Sequence, residues 1–404
     1  MARRSGLRER LAAVSSARVA PRDAKSRQLP MLPSIRRAGV ALREKIFPLT
    51  SRRWLRQLLA ADSRSAQIIS NLKCEVSNAS EWLFLDLETT GLAGGTGTYA
   101  FLVGLGRLAP EGFHLRQYFL RDLAAERELL AQLASELKAA RLLVTYNGKL
   151  FDAPLLETRF RLARMPWPRE EQPHLDLLYA ARRLWKPRCG SARLLDLEQT
   201  ILRHDRGDDL PGSLIPQLYF DYLRGGDERP LAAVFQHNAD DLLTLAALAA
   251  RLLSLAVAPE STRDDRLELV GLARLFERAR EAERAATLYE LALQDHLPPE
   301  LRSLAQLRLS FLYRRRADYT RAFPLWQQLA ATGAAPRARL IALEQLAIGY
   351  EHRLGDPVAA ARVTRQALEL GAGWRKRFEY RLQRLQRKLP TELLCASRSP
   401  AGAL

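Results

Sequence analysis

The stretch Phe84-Leu-Asp-Leu-Glu-Thr-Thr-Gly-Leu92 decides the fold, because an apolar run ends there in two acids. Side chains two apart in a strand point to the same face, so Asp86 and Glu88 converge on one point. Two adjacent carboxylates repel each other unless a cation joins them, and a divalent metal ion is the usual partner. The stretch therefore predicts a strand that carries half of a metal site.

Two later segments offer the further acids that such a site requires. In the first, an apolar run breaks at Asn147, and Asp152 follows at the predicted start of a helix. In the second, His237 and Asp241 are four positions apart, which places both on one face of a helix. Three distant segments of the chain therefore each supply at least one acid for the predicted metal site. Each acid lies either near the end of a predicted strand or on a predicted helix.

These segments resemble a known set of motifs. Asp-x-Glu, Asn-Gly-x-x-Phe-Asp-x-Pro and His-x-x-x-Asp, in this order, are similar to the three motifs of the DEDD 3′–5′ exonuclease superfamily. Shorter stretches narrow the resemblance to the YprB-type ribonuclease-H-like domain, from about Trp82 to about Leu253. They are Gly94-Gly-Thr-Gly-Thr, His174-x-Asp-Leu-Leu, Ala181-Arg-Arg-Leu-Trp185, Pro211-Gly-x-x-Ile-Pro216 and Tyr219-Phe-x-Tyr-Leu-Arg-x-Gly-Asp227.

The resemblance implies roles for five residues. It makes four of them the carboxylates that bind two Mg²⁺ or Mn²⁺ ions, namely Asp86, Glu88, Asp152 and Asp241. Such ions, about 4 Å apart, activate water and stabilise the leaving oxygen of a phosphodiester. His237 falls where the superfamily keeps the residue that positions or deprotonates this water, although it combines the histidine of one branch with the spacing of the other. The implied activity is that of a metal-dependent 3′–5′ exonuclease, a hydrolase.

A second class of function stays open, namely a nucleic-acid-binding or scaffold protein that has the nuclease-like fold without cleaving. The four acids favour the nuclease, because clustered anions repel phosphate groups unless metal ions are bound. Nothing in the residues distinguishes DNA from RNA as the partner.

Other polar residues near the motifs have more than one interpretation. Asp176 either supports the metal ligands or starts a helix, and Lys149 either contacts a substrate phosphate or lies in solvent. Asp240 points about 100° away from Asp241 on a helix and is left out of the site. The glycine-rich residues 91–98 lack the spacing of a dinucleotide-binding site, so we expect a tight connection into the next strand.

The order of elements indicates an α/β ribonuclease-H-like domain over residues 76–258, with a mixed sheet flanked by helices. The predicted elements are strands at about 82–87, 99–108 and 113–120, a helix at 123–140 and a strand at 142–146. In this order the first strand lies centrally and carries the first acids.

Residues 262–390 change character, because alanine, leucine and arginine dominate and strand signals stop. Phe276, Tyr313 and Tyr350 are 37 residues apart in each interval. This spacing resembles tetratricopeptide repeats, so we expect an all-α helical repeat domain followed by a tail at 391–404. Such repeats either bind a protein partner on a concave surface or only stabilise the nuclease.

The N-terminal arm, residues 1–75, is predicted to be basic and largely disordered. Its first 60 residues hold 15 Lys or Arg and three acids, in a chain whose net charge is +18. Such an arm either attracts phosphate backbones, increases solubility or resembles a mitochondrial presequence. The sequence also permits a helix over Arg36–Ile46 or over Trp54–Ala60.

The cysteines and the hydropathy pattern indicate a cytoplasmic protein. Cys74, Cys189 and Cys395 are isolated and lack the spacing of a zinc site or a disulfide framework. No secretory segment and no run long enough to span a membrane is recognised, so no membrane partner is expected.

Overall fold

The structure is a computed structural model. It describes residues 39–50, 53–59, 78–91, 95–170, 172–207, 209–262, 265–332, 335–370 and 374–388. These residues form a six-stranded sheet with packed helices, followed by a region of helices alone. Most of the predicted N-terminal arm and the predicted tail at 391–404 lie outside the described residues.

The sheet is mixed, as predicted. Its strands are β1 Val40–Pro48, β2 Trp82–Thr89, β3 Ala100–Ala109, β4 Gly112–Leu120, β5 Leu142–Thr145 and β6 His174–Asp176. They lie in the order β1-β4-β3-β2-β5-β6, with β2 in the interior. The pairs on the β1 side of β2 are antiparallel, whereas β2–β5 and β5–β6 are parallel. The predicted ribonuclease-H-like fold class is confirmed, and a doubly wound cofactor-binding sheet, which is mostly parallel, does not fit.

Helices cover this sheet. They are α1 Arg53–Leu59, α2 Glu126–Ala139, α3 Asp152–Leu162, α4 Leu177–Leu184, α5 Lys186–Cys189, α6 Leu194–Thr200, α7 Ile215–Leu223 and α8 Leu231–Val257. The longest, α8, has 27 residues and packs against β2, β3 and α1. Most of its alanine and leucine side chains are buried, because it has protein on several sides. Among the described residues, no helix is long and apolar enough to cross a membrane.

The end of the predicted N-terminal arm differs from the prediction. The suggested helix over Arg36–Ile46 is wrong for the described residues, because Val40–Pro48 pairs with β4 along its whole length as an edge strand. Strand pairing outweighs local preference here, and the alternating Arg43 and Lys45 are typical of a protected edge. The suggested helix at Trp54–Ala60 corresponds to α1, whose Leu55 and Leu58 are buried.

The C-terminal region is all-α, as predicted. Its helices are α9 Arg266–Arg278, α10 Ala282–Leu293, α11 Pro299–Arg315, α12 Tyr319–Ala331, α13 Pro336–His352, α14 Pro357–Glu369 and α15 Arg375–Gln386. Consecutive helices pack as the pairs α9/α10, α11/α12 and α13/α14, with α15 against α14. Phe276 and Tyr313 are buried on the first helices of two pairs, and Tyr350 is half-buried on the third.

The turns within these pairs repeat. Arg280, Ala317 and Gly355 have φ of 64°, 58° and 63°, at intervals of 37 and 38 residues. The side chains of Asp318 and Asp356 then cap the second helices of their pairs. A periodic array of helical hairpins follows from this geometry, while its assignment to tetratricopeptide repeats stays a prediction.

The two regions share one continuous core. The Trp185 Nε1 donates to Glu268 Oε1 at 2.6 Å, which joins the end of α4 to α9. At Gly271 of α9, an added Cβ would lie 2.6 Å from the carbonyl oxygen of Arg183. Only glycine permits so close an approach of the two helices. The predicted domain boundary at 258–262 is therefore not a break in packing.

Candidate active site

Asp86 and Glu88 lie near the end of β2, two residues apart, so they face the same side of the sheet. The register of β2 against β3 shifts between Glu88 and Thr89. Irregularities of this kind occur near active sites, where they redirect side chains at the end of a strand. The pair predicted from sequence thus lies at the carboxyl end of an interior strand.

Asp152 reaches the same edge of the sheet from β5. Because β5 runs parallel to β2, the carboxyl ends of both strands lie at one edge, and Asp152 begins α3 shortly after it. The turn between them is tight. An added Cβ at Gly148 would lie 2.8 Å from Asp152 Oδ2 and 2.5 Å from the side chain of Thr145.

Helix α8 supplies the third group of polar residues. His237, Asn238 and Asp241 lie within four positions, and their side chains face the sheet or its edge. His237 Nε2 is 3.7 Å from Asp241 Oδ2 and 4.0 Å from Glu88 Oε1. The three segments singled out in the sequence therefore meet at one place.

Asn238 ties α8 to the strand that carries the first acids. Asp86, Gly104 and Gln117 form one row across β2, β3 and β4. Gln117 Nε2 donates to Asn238 Oδ1 at 2.9 Å, and Asn238 Nδ2 donates to Asp86 Oδ2 at 2.8 Å. The amide crosses above Gly104, where an added Cβ would lie 2.2 Å from Asn238 Oδ1. The hydrogen bond that orients Asp86 therefore requires glycine at position 104, because any Cβ there would displace Asn238.

Gly104→Ala is expected to destabilise the protein by about 1–3 kcal/mol, because the new methyl group overpacks the contact between β3 and α8. Thermal unfolding measures this effect. Gly212→Ala is the matched control, because its Cβ would have no atom within 4 Å, and its melting temperature should equal that of the wild type. Equal melting temperatures for all three proteins would contradict the proposed close packing.

The carboxylates are half-buried and influence one another. Burial first, and then Asp241, Glu88 and Asp152, raise the pKa of Asp86 well above its usual value, against the hydrogen bond from Asn238. Burial is also the main cause that raises the pKa of Glu88 to about 8. For Asp152, burial followed by Asp176 raises the pKa to about 7. Burial and the neighbouring carboxylates together favour the protonated forms of these acids.

His237 is held by Asp209, whose Oδ1 lies 2.9 Å from Nδ1. This contact directs Nε2 toward Glu88 and Asp241. Burial opposes protonation of the ring, but Asp241 and Glu88 outweigh it, so the pKa of His237 is raised. A protonated imidazole cannot accept a proton, so the ring can act as a base only when a cation neutralises the neighbouring carboxylates.

Arg206 contacts the site from the loop before α7. Its Nη1 lies 2.6 Å from Asp241 Oδ1 and 3.3 Å from Asp209 Oδ2, and its Nε pairs with the buried Glu198. Arg206 therefore forms an ion pair with one carboxylate oxygen of Asp241, a predicted metal ligand. Within the described parts of the chain, no three His, Cys, Asp or Glu side chains stand in an arrangement that holds a metal ion.

The donor set nevertheless fits hard divalent cations chemically. Each of the four acids offers carboxylate oxygens, which Mg²⁺ and Mn²⁺ prefer. The acids raise one another's pKa, and a cation between them would relieve this repulsion. Asp241 would have to turn one oxygen from Arg206 toward the other acids. The assignment of these residues as ligands stays a prediction.

The structure gives the positions of Asp176 and Lys149, for which the sequence allowed two interpretations each. Asp176 starts a helix, since its carboxylate accepts from the backbone N–H of Leu178 at the start of α4. It also accepts from the backbone N–H groups of Asn147 and Lys149, while its support of metal ligands stays a prediction. It thereby fixes the turn that leads to Asp152. Lys149 is exposed.

Asp240 contacts Gln236 and lines a cavity of about 290 Å³ that includes none of the four predicted metal ligands. The described part of the glycine-rich stretch, at Thr96, accepts a hydrogen bond from the buried Arg159 at 2.7 Å. Arg159 also pairs with Glu126 at the start of α2, which anchors this connection to the helices.

A cavity of about 390 Å³ adjoins Asp152. It is lined by apolar side chains of β2 and α3 together with the polar Thr89, Thr98 and Asn147. Leu150 and Phe151 at its rim are 62% and 54% exposed, which is unusual for such large apolar side chains. A flat, partly apolar group could lie here beside the carboxylates.

Four contributors were missed by sequence reasoning, namely Gln117, Arg206, Asp209 and Asn238. Gln117 had a signal, because it is a polar residue within a mostly apolar strand, and Asn238 lies next to His237 on the same helix. Arg206 and Asp209 lie in an irregular loop where no periodicity identifies which face they present.

Comparison with known proteins agrees with this architecture. A family model described as the RNase_H superfamily matches residues 83–253. The chain is 30% identical over 357 residues to "Uncharacterized protein YprB" of Bacillus subtilis (strain 168), covering 86% of each protein. The family B DNA polymerase from the hyperthermophilic archaeon Pyrobaculum calidifontis aligns with a TM-score of 0.38 at 17% identity. That alignment covers 52% of this chain and 28% of the polymerase.

The match to YprB extends over both the sheet domain and helices beyond it, since it spans far more residues than the superfamily model. The order of the six strands and the position of β2 agree with the superfamily assignment. The chain therefore belongs to the YprB family, and its residues 83–253 form a domain of the ribonuclease H superfamily.

Proposed function

We propose that the protein is a metal-dependent nuclease that hydrolyses phosphodiester bonds of nucleic acid as a 3′–5′ exonuclease. One observation carries the proposal: four half-buried carboxylates from three distant segments lie together at the end of an interior strand. Burial of mutually repelling acids costs stability, so their joint presence indicates a function that requires negative charge. The exonucleolytic direction rests on the resemblance to the DEDD superfamily.

In this proposal Asp86, Glu88, Asp152 and Asp241 hold two Mg²⁺ or Mn²⁺ ions. The bound ions would supply Lewis acidity, polarising the phosphate and lowering the pKa of water. Asn238 keeps the Asp86 carboxylate in one orientation through its 2.8 Å hydrogen bond. His237 Nε2 faces the carboxylates and takes a proton from the attacking water once their charge is neutralised.

The cavity beside Asp152 suits the terminal base of the substrate. Its volume of about 390 Å³ and its apolar rim favour a planar ring over a bare phosphate. Stacking of a base on an aromatic side chain such as Phe151 contributes about 1–3 kcal/mol and does not depend on sequence. We therefore propose a nucleic-acid end as substrate, with either DNA or RNA allowed.

Incubation with end-labelled single- and double-stranded DNA and RNA tests the proposal. With Mg²⁺ or Mn²⁺ we expect a ladder of products that shortens from the 3′ end, and with EDTA no products. The label on the 5′ end distinguishes this ladder from internal cleavage. Binding of every substrate without cleavage in either metal would overturn the nuclease assignment.

Asp209→Asn is expected to lower the cleavage rate by about 10–100-fold, because the imidazole loses the charged partner that orients it. The pH optimum should also move to lower pH, since the lost negative charge no longer favours the protonated ring. Asp205→Asn is the control, because Asp205 lies in the same loop but is exposed and accepts a hydrogen bond from the backbone N–H of Gly207. An unchanged rate and pH profile for Asp209→Asn would show that His237 needs no such support.

One observation favours the alternative, a nucleic-acid-binding protein that does not cleave. Arg206 already neutralises Asp241, so part of the charge that a metal ion would balance is balanced by the protein. The response to Mn²⁺ separates the two functions. A rise of the melting temperature with Mn²⁺ supports the nuclease, whereas no response supports the non-cleaving protein.

Two further expectations stay predictions, namely a cytoplasmic location and a protein partner on the helical repeats. Neither depends on the nuclease chemistry. A nucleic-acid partner follows directly from the proposed substrate.

A further inference from the structure

Four basic residues form a cluster between the carboxylate site and the helical region. Lys149 lies in the turn before Asp152, Arg183 lies on α4, and Arg274 and Arg278 lie on α9. We call these four residues the basic bridge. Arg183 and Arg274 are half-buried, whereas Lys149 and Arg278 are exposed.

The packing of α9 on α4 brings the members together. The helices touch at Gly271, where an added Cβ would lie 2.6 Å from the Arg183 carbonyl oxygen and 2.7 Å from Leu184 Cα. Arg274 and Arg278 follow Gly271 by three and seven residues, so they lie on the same side of α9. The contact therefore places both arginines beside Arg183.

Among the described residues no acid forms an ion pair with this cluster, although Asp176 lies near Lys149. In the part of the chain that the structure describes, no carboxylate lies within ion-pair distance of the basic bridge, and Arg183 Nη1 donates to the Tyr179 carbonyl oxygen instead. Burial lowers the pKa of Lys149 against the attraction of Asp176, and Arg278 lowers it slightly further. For Arg183, burial and then repulsion from Arg278 and Arg274 lower the pKa. Like charges gathered without a counterion favour an anionic ligand.

Arginines elsewhere in the helical region contrast with the basic bridge. Arg308 pairs with Glu277, Arg321 pairs with Asp318, and Arg381 pairs with the buried Glu351. These arginines have acidic partners, so the lack of ion pairs in the basic bridge does not follow simply from the abundance of arginine in the chain.

The basic bridge begins at the active site. The Lys149 backbone N–H donates to Asp176 Oδ2 at 3.1 Å, within the turn that positions Asp152. From there the cluster leads to α9, the first helix of the helical region. An anion bound along it would thus touch both regions of the protein.

We propose that the basic bridge binds the sugar–phosphate backbone of the nucleic acid whose end occupies the carboxylate site. The helical region is then part of the nucleic-acid interface. The inference rests on the proposed nuclease function, because that function supplies the polymer. DNA and RNA carry the same phosphates, so both serve as ligands in the test.

The test compares two double variants of the full chain. Arg274→Gln with Arg278→Gln removes two charges of the basic bridge, and Arg362→Gln with Arg365→Gln removes two exposed charges of α14 as a control. Fluorescence anisotropy measures binding of a 20-nucleotide single-stranded DNA and RNA in EDTA, which prevents cleavage. Thermal unfolding of each variant checks the fold, and Arg278→Gln alone replaces the first double variant if that one is unstable.

We expect the variant of the basic bridge to bind at least about tenfold more weakly near 0.1 M salt. The slope of log K against log salt should decrease by about 1.4, since each lost phosphate contact on a single strand contributes about 0.7. The α14 control should bind within about twofold of the wild type. Equal binding by the two double variants would overturn the inference, even where the wild type binds and cleaves. Failure of the wild type to bind either polymer would also overturn the inference, whereas the proposed function is tested separately by the product ladder in Mg²⁺ or Mn²⁺.

Discussion

Asp86→Asn is expected to lower phosphodiester cleavage by at least about 10³-fold, because losing one of the four carboxylates that we propose to hold the metal ions would remove several kcal/mol of transition-state stabilisation. The substitution keeps the volume of the side chain, and its amide oxygen can still accept the hydrogen bond from Asn238. The loss should therefore not come from unfolding. Cleavage of an end-labelled oligonucleotide at saturating Mn²⁺ measures the effect.

Asp240→Asn is the matched control for this prediction. Asp240 is also an acid, and it lies beside Asp241 on α8, but it lines a different cavity. Its substitution should change cleavage by less than about twofold. Retention of more than a tenth of the wild-type rate by Asp86→Asn would mean that the activity does not depend on this carboxylate.

Glu88→Gln is expected to stabilise the metal-free protein and to abolish its response to Mn²⁺. In the folded chain the pKa of Glu88 is about 8, above its usual value of 4.5. The folded state therefore binds this proton more tightly than the unfolded state. The resulting stabilisation is present below pH 4.5 and is lost as the pH rises through about 8.

Glutamine at position 88 has no proton to release, so Glu88→Gln does not lose stability in this way as the pH rises. At pH 8 the melting temperature of metal-free Glu88→Gln should exceed that of the wild type by about 2–4 °C, the shift expected for roughly 1 kcal/mol. Mn²⁺ should raise the melting temperature of the wild type but not that of Glu88→Gln. Glu300→Gln, an exposed change on α11, should behave like the wild type. A lower melting temperature for Glu88→Gln would contradict the repulsion between the acids.

The same pKa values predict the pH dependence of metal binding. Ligands must be deprotonated, so Mn²⁺ must displace protons from Glu88 and from Asp152, whose pKa is about 7. The affinity of the wild type for Mn²⁺ should increase by at least about tenfold between pH 6 and pH 8. Titration calorimetry in buffers of different ionisation enthalpy measures the released protons directly.

Much of the sheet was predictable because its interior strands leave a clear pattern. Trp82 to Leu85 form an apolar run that protein covers on both faces, and the boundaries of β2 to β5 lie close to those predicted. β1 was missed because an edge strand with basic side chains resembles a solvated arm. β6 has three residues, too few for any periodicity.

The site was predictable where chemistry follows the local sequence. Asp86 and Glu88 share a strand, and His237 and Asp241 share a helix turn, so spacing alone places each pair on one face. Arg206 contacts Asp241 from 35 positions away through an irregular loop, and only the fold brings the two together. Long-range contacts of this kind leave no mark in spacing or composition.

The most direct test of the central claim is the position of Mn²⁺ in crystals of the protein soaked with the ion at pH 8. We predict two anomalous-difference peaks among the oxygens of Asp86, Glu88, Asp152 and Asp241, with Asp241 turned from Arg206 toward them. The same crystals of Asp86→Asn should lose at least one peak. Absence of both peaks from the wild type, with Arg206 still bound to Asp241, would contradict a two-metal nuclease.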